Sequence, residues 1–443
     1  MDGFTLAMVG LAVMFGLILL HVPIGIAMAG VGFWGVVEFT NWRAGLSVAS
    51  SEVSSAIGNE GFAVIALFLL MGAFASVAGL SADIFRIANA FVGHRRGGLA
   101  QATVAGCGGF GAVCGSSVAT TATMARIALP EMTRRNYQPH FAAGAVASGG
   151  TLGILIPPSV IMVLYAVLTE NSPLTLFAAG LVPGLIAIAL YFVAIEIYVR
   201  IWPESGPAAN RLSWAERGRA VAQSWRAIVI IAAVSVGIYS GIFTVIEAAS
   251  VGAGLTLIFA VLSGRMTRRI FFDNLLETAG NTCLIFVIII GAKIFRTFMG
   301  YTRAPEALVD WIEMIGLEPF AIILVLLLMY IILGSIFDTV AAMVITLPFV
   351  YPLVVDTLGY NAIWWGIMMV MVMEVGMITP PIGINVFVLH AVAKNLTLTQ
   401  IYRGISPFLI ADFIRLFLVA AIPALALALP AWLGYPLESA VVR

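Results

Sequence analysis

Two consecutive prolines stand in the middle of an apolar run at residues 153–162, GILIPPSVIM, and again at 376–385, GMITPPIGIN. Proline has no N–H and clashes with the preceding turn, so each pair strands backbone carbonyls that hydrocarbon cannot solvate. Such a break survives only where protein, water or a bound ion meets the freed groups. Pro157 and Pro380 lie 223 residues apart in a chain of 443, so each half carries the same break once. With 61% hydrophobic and 10% charged residues and a mean hydropathy of +1.07, the chain reads as an all-α polytopic membrane protein. The 22 basic and 22 acidic residues cancel, so net charge gives no sign of a nucleic-acid partner. Cys107, Cys114 and Cys283 match no metal spacing and read as packing residues. The N-terminus lacks a basic region and a cleavage site, and is expected to be a retained first helix.

A helix needs about 20 residues to cross a bilayer. Apolar runs fall into two sets around the polar stretch RIWPESGPAANRLSWAERGR at 200–219. The first set comprises 4–20, 23–39 and 61–80, a Gly-rich stretch at 97–132, the broken run at 139–169, and 174–199. The second comprises 226–244, 247–263 and 275–300, a long stretch at 318–357, the broken run at 361–393, and 405–433. The stretches at 97–132 and 318–357 are too long for one crossing and carry Gly115-Ser116 and Gly334-Ser335 near their middles. They are expected to be re-entrant helical hairpins that turn at the Gly-Ser, with tips buried in protein or lining a wet cavity. Amphipathic segments from Ser81 and from Ala304 precede them and suit the interface plane.

Basic residues orient the chain, because cytoplasmic loops collect Lys and Arg. With the linker inside, 15 of the 22 fall on the cytoplasmic side, and Arg43, Arg303 and Arg443 fall outside. Arg126, Lys293, Arg296 and Arg415 remain within spans. The two hairpins then open on opposite sides. Residues 1–199 and 226–443 become two inverted-topology repeats joined by a cytoplasmic linker at 200–225, with both termini periplasmic. Paired broken helices in inverted repeats are the architecture of a secondary transporter with a midplane site.

The first tip, GCGGFGAVCGSSVATTAT at 106–123, combines five glycines with Ser116, Ser117, Thr120, Thr121 and Thr123. Glycines permit a tight turn and close approach to a ligand, and the helix opening at Ser116 and Ser117 favours a carboxylate at its N-terminus. Close helix packing in lipid is the plainer use of such small residues. In GSIFDTVAAM at 334–343, Asp338 is an acid near mid-depth, costly unless it faces a cavity or a cation. Ser335, Thr339 and free carbonyls could supply the oxygens a hard cation takes, while a helix N-cap is the alternative and compatible role. Thr151, Thr379 and Asn385 add polar groups at the two breaks, making neutral, oxygen-rich surroundings that suit a small monovalent cation. A transition metal would call for His or Cys.

Glu247 is expected at an interface and Glu374 in an internal pair. Lys293 and Arg296 are expected to snorkel outward and Arg126 inward, and Asp412 and Arg415 to pair at i, i+3. The four histidines are scattered, and HExxH, P-loop and nucleophile-elbow patterns are absent, so no enzyme is expected.

The run CGSSVATTATMARIALPEM, the ILIPP and MITPP breaks, IEAASVGA at 246–253 and GSIFDT resemble the large membrane subunit of tripartite ATP-independent periplasmic (TRAP) transporters across essentially the whole chain. The resemblance implies a sodium-coupled importer of organic acids, such as C4-dicarboxylates or sialic acid, in the bacterial inner membrane, working by an elevator motion. It implies a separate small four-helix membrane subunit and a periplasmic substrate-binding protein as partners, no cofactor, and Na+ as coupling ion. One sodium site is expected between Gly115, Ser116 and Ser117 at the first tip and Gly149, Gly150 and Thr151. The other is expected between Ser335, Asp338 and Thr339 at the second tip and Gly376 to Thr379. The substrate is expected between them, at Ser116, Ser117, Thr121, Pro158, Thr379, Pro380 and Asn385. On this reading Ser117→Trp should block the tip and abolish uptake while leaving the fold intact. The alternatives are a carrier of related elevator architecture that needs no binding protein, and, from another class, a carboxylate or ion channel.

Overall fold

A computed structural model describes residues 2–437, and among them every regular element is a helix. Helices α1 (Gly3–Leu19), α2 (Ile24–Phe39), α3 (Trp42–Gly58) and α4 (Ala63–Ala78) lead into the amphipathic α5 (Leu80–Val92). A turn at Gly115 and Ser116 joins α6 (Gly98–Cys114) to α7 (Ser117–Arg134). α8 (Pro139–Leu155) and α9 (Val160–Leu168) flank the first proline pair, and α10 (Pro173–Ile201) follows. The second half runs α11 (Trp214–Gln223), α12 (Trp225–Tyr239), α13 (Val245–Leu262), α14 (Arg268–Thr302) and α15 (Ala304–Ile315). α16 (Pro319–Ile336) and α17 (Thr339–Tyr351) come next, α18 (Ala362–Gly376) and α19 (Ile384–Val392) flank the second proline pair, and α20 (Leu398–Ala421) and α21 (Ala424–Trp432) end the chain.

Eight segments among the described residues are long and apolar enough to cross a membrane, the 30 residues from Pro139 to Leu168 counting as one. The protein is a multi-pass membrane protein. The broken helices lie innermost: every residue of α18 is buried, as is α8 from Phe141 to Leu155. Their lack of any polar face follows, since each is surrounded by protein on all sides.

Four features differ from the sequence expectation. α3 is a full helix where no span was expected; WRAGLSVASSEVSSAIG is too Ser-rich to read as apolar, yet Asn41 caps it by accepting from the Ala44 N–H at 2.9 Å. The linker is ordered in part: a capping box of Ser213 and Glu216 starts α11, which meets α12 at a 64° bend. The run at 405–433 is two helices, parted at Ile422 and Pro423. Finally, the second hairpin turns at Phe337 and Asp338, and Gly334 and Ser335 lie within α16.

That last shift has a packing cause. A Cβ on Gly376 would sit 2.7 Å from the Gly334 carbonyl carbon, so Gly334 serves close approach of α16 to α18 and not a turn. α6 and α8 meet in the same way, a Cβ on Gly111 lying 2.8 Å from the Gly153 Cα. Gly111 precedes Gly334, and Gly153 precedes Gly376, by the 223 residues that separate the proline pairs.

Candidate functional site

The proline pairs determine which backbone groups are left over. Without N–H groups at Pro157 and Pro158, the Gly153 and Ile154 carbonyls lose their i+4 donors, and no hydrogen bond among the described residues reaches either. At the second break the corresponding carbonyls are met: the Thr379 N–H donates to Gly376 at 3.1 Å and the Asn385 N–H to Met377 at 3.1 Å. Residues 380–382 are exposed, whereas 152–160 are wholly buried.

Each tip reaches its break. At the first, Ser116 caps α7 by accepting from the Ala119 N–H at 3.4 Å, and its carbonyl lies 2.8 Å from where a Gly153 Cβ would stand. A Cβ on Gly115, whose φ is +63°, would stand 3.0 Å from the Pro158 carbonyl oxygen. At the second, the Ser335 carbonyl accepts from the Gly383 N–H at 3.1 Å. Asp338 is exposed and caps α17, its Oδ2 accepting from the Val340 N–H at 3.0 Å. The buried Thr339 hydroxyl has no partner.

The structure therefore brings Gly115, Ser116 and Pro158 together, and Ser335 with Gly376. Gly149, Gly150 and Thr151 lie within α8, before the break, where the two glycines admit Cys107 and the Thr121 hydroxyl. Thr379 turns its hydroxyl back to the Val375 carbonyl at 2.6 Å, and Pro380 is exposed at its break. Ser117 meets Asn385 across the two halves, the Asn385 Nδ2 donating to the Ser117 Oγ at 2.7 Å and more weakly to the Ala147 carbonyl at 3.4 Å. The Asn385 Oδ1, Thr121 Oγ1 and Ser148 Oγ are buried without partners. Ser117 is only 1% exposed, so a tryptophan does not fit there without displacing α19, and Ser117→Trp is a test of folding and not of the tip.

Beside this cluster runs a wholly buried charge network. Thr151 donates to Glu374 Oε1 at 2.8 Å, and the Arg415 Nη2 lies 2.8 Å from Glu374 Oε2 and 2.9 Å from Asp412 Oδ1. The Tyr191 hydroxyl donates to Asp412 Oδ2 at 2.7 Å. Glu374 is thus paired internally and Asp412 with Arg415, as their spacing implied. Tyr191 went unnoticed in the sequence. Thr151 and Glu374 are 223 residues apart, a relation visible once the proline offset is applied along the chain.

Glu247 is the second member of a capping box with Thr244. Lys293 donates to Ser55 at 2.7 Å and, with the exposed Arg296, faces a cavity of about 800 Å³ between α3, α14, α9 and α17. Arg126 is exposed. No group of three or more His, Cys, Asp or Glu side chains converges among the described residues.

This arrangement shares its fold with the YdaH transporter of Alcanivorax borkumensis, at a TM-score of 0.55 and 14% identity over 89% of this chain and 90% of that one. Fold and composition define an all-helical, multi-pass membrane protein. Residues 11–425 match the DctM component of the tripartite ATP-independent periplasmic transporter. The chain is 38% identical over 391 residues to the C4-dicarboxylate TRAP transporter large permease protein DctM of Pseudomonas aeruginosa, covering 88% of this chain and 91% of that protein. It is 28% identical over 423 residues to the sialic acid TRAP transporter large permease protein SiaM of Vibrio cholerae, covering 95% and 97%. The chain belongs to the DctM family of TRAP transporter large permeases, and is a permease and not an enzyme.

Proposed function

We propose that this permease imports organic acids, in the class of the C4-dicarboxylates and sialic acid named for its relatives, by sodium symport across the bacterial inner membrane. Residues 1–199 and 226–443 act as inverted repeats around a cytoplasmic linker, with both termini periplasmic. The observation that carries this reading is the matched pair of glycine contacts, Gly111 on Gly153 and Gly334 on Gly376, which seats each hairpin tip at the depth of a helix break. Two tips at mid-depth, reached from opposite sides, give a carrier two gates around one site. An elevator motion moves the tips and breaks together against the remaining helices.

The sodium reading draws support from the first break, where the Gly153 and Ile154 carbonyls have no donor among the described residues. Neutral oxygens suit a hard monovalent ion. The substrate carboxylate would lie at the α7 N-terminus, with Ser117 and Asn385 beneath it. A small membrane subunit and a periplasmic binding protein complete the assembly, in keeping with the tripartite family.

The test is uptake of labelled organic acids into proteoliposomes holding this chain and its small partner, under an inward sodium gradient, with and without the binding protein. Uptake should need both. Sodium-driven uptake without the binding protein would establish a stand-alone carrier instead, and flux indifferent to sodium a channel.

A further inference from the structure

Several arginines on the linker side of the protein share acids: Arg86 and Arg226 meet at Asp83, and Arg134 and Arg135 at Glu131. Arg95 and Arg96, in the α5–α6 turn, are exposed and make no ion pair among the described residues. Their backbone is nevertheless fixed. The Arg95 N–H donates to the Val92 carbonyl at 3.1 Å, the Gly98 N–H to the Arg95 carbonyl at 2.9 Å, and the Gly97 N–H to the Gly206 carbonyl at 2.9 Å. Gly97, at φ +68°, lies directly on α10, since a Cβ there would stand 2.8 Å from the Ile195 Cγ2 and 3.0 Å from the Val199 Cγ1. Only glycine allows that approach in that conformation. The turn is therefore held against the C-terminal end of α10, and its two arginines open on the same recess as Arg200.

That recess has a volume of about 700 Å³, and its two ends differ in chemistry. At one end Arg95, Arg96 and Arg200 face a single acid, Glu196, whose Oε1 accepts from the Arg200 Nε at 3.0 Å. Three positive charges therefore meet one negative. Toward the middle of α10 the wall continues as Phe192, Val193 and Ile197. Val193, Ile197 and Ile201 recur every four residues on one helix face, and each is more than half exposed. α10 has 29 residues, about 44 Å by helical rise, against a hydrocarbon core of about 30 Å. On the topology proposed above, its last turns stand at the depth of the inner headgroups. The exposed Trp202 follows, at the level where aromatic residues gather.

We infer that this recess binds an anionic phospholipid of the inner leaflet, its phosphate taken by Arg95 and Arg96 with Arg200 beside them, and an acyl chain laid along Val193 and Ile197. The guanidinium fork matches phosphate oxygens, and basic pockets between spans on the cytoplasmic side suit anionic headgroups. A soluble anion would use the arginines and leave the apolar wall idle. An apolar protein segment would cover the wall and leave the charge unmet. An amphipathic anion answers both ends of the recess at once. Because the turn is already fixed by its hydrogen bonds and by Gly97, little backbone order is lost on binding.

The experiment compares the full-length wild type in detergent with two double variants. Arg95→Gln with Arg96→Gln empties the recess of two charges, and Arg211→Gln with Arg219→Gln removes two exposed charges that do not line it. Phosphatidylglycerol and phosphatidylcholine are added at equal concentration, retained lipid is counted by native mass spectrometry, and thermal unfolding is followed as each lipid is titrated. Substrate, sodium and partner subunits are left out, so the result stands apart from the transport reading. Wild type and the Arg211, Arg219 variant should retain phosphatidylglycerol over phosphatidylcholine and be stabilised by it saturably. The Arg95, Arg96 variant should lose about thirtyfold in apparent affinity, the strength of two cations acting on an anionic headgroup. Equal retention of phosphatidylglycerol by the two double variants, or no preference over phosphatidylcholine in wild type, overturns the site. Equal stabilisation of wild type by inorganic phosphate at matched ionic strength overturns the lipid in favour of a soluble anion. Should Arg95→Gln with Arg96→Gln fail to fold, Arg200→Gln takes its place, and undiminished phosphatidylglycerol binding there overturns the proposal equally.

Discussion

At the residue scale, the Glu374–Arg415–Asp412 group sets the strongest stability expectation. All three side chains have zero exposure, so Arg415→Met leaves two carboxylates facing each other in a dry core. Breaking a buried pair by removing one partner costs about 3–5 kcal/mol. Loss of folded yield and a marked fall in Tm should follow, and replacing all three charges together should recover most of it. A Tm for Arg415→Met equal to wild type would show that water reaches the network. The Ser117–Asn385 bond sets a functional expectation. Ser117→Ala leaves the Asn385 amide with only its 3.4 Å contact to Ala147, an unsatisfied donor worth about 1–3 kcal/mol. Uptake should fall severalfold with little change in fold, and unaltered uptake would remove that pair from the site. Asp412 and Arg415 were legible because i, i+3 spacing is a local rule. The Ser117–Asn385 contact, 268 residues long, was legible only as a common vicinity.

At the scale of elements, the contrast among glycines is testable. Gly376→Ala would press a methyl onto the Gly334 backbone, which cannot yield as a side chain would. It should cost about 1–3 kcal/mol and abolish uptake. Gly254 in α13 and Gly280 in α14 have open space at the same position, so alanine there should raise stability by about 0.5–1 kcal/mol through helix propensity. A thermal-shift series across the three substitutions checks the sign of each. The sequence announced both breaks, because proline chemistry acts within a turn. It misplaced the second turn by three residues because Gly-Ser signals flexibility equally well for turning and for close packing, and only the partner helix decides. It missed α3 since a helix held by its cap and by neighbours need not be uniformly apolar.

For the whole molecule, the exposure of residues 380–382 is the telling asymmetry. Lipid cannot face an interrupted backbone, so this side of the second break opens on a wet cavity or on a partner. Ile382→Cys, at a residue 39% exposed, should react with a membrane-impermeant maleimide added on the linker side and lose that reactivity when substrate and sodium are both present. Reactivity from the opposite side would invert the topology proposed above. The Thr151–Glu374 hydrogen bond carries a meaning of its own. Two residues at equivalent positions of a two-fold arrangement touch each other only on its axis. With identical halves the same side chain would meet itself there. A pair of glutamates there would repel, and a pair of threonines would leave Arg415 to Asp412 alone of the two carboxylates it now meets. On the inverted-repeat reading proposed above, this bond marks the place where the two halves differ in chemistry, a threonine on one side meeting a glutamate on the other.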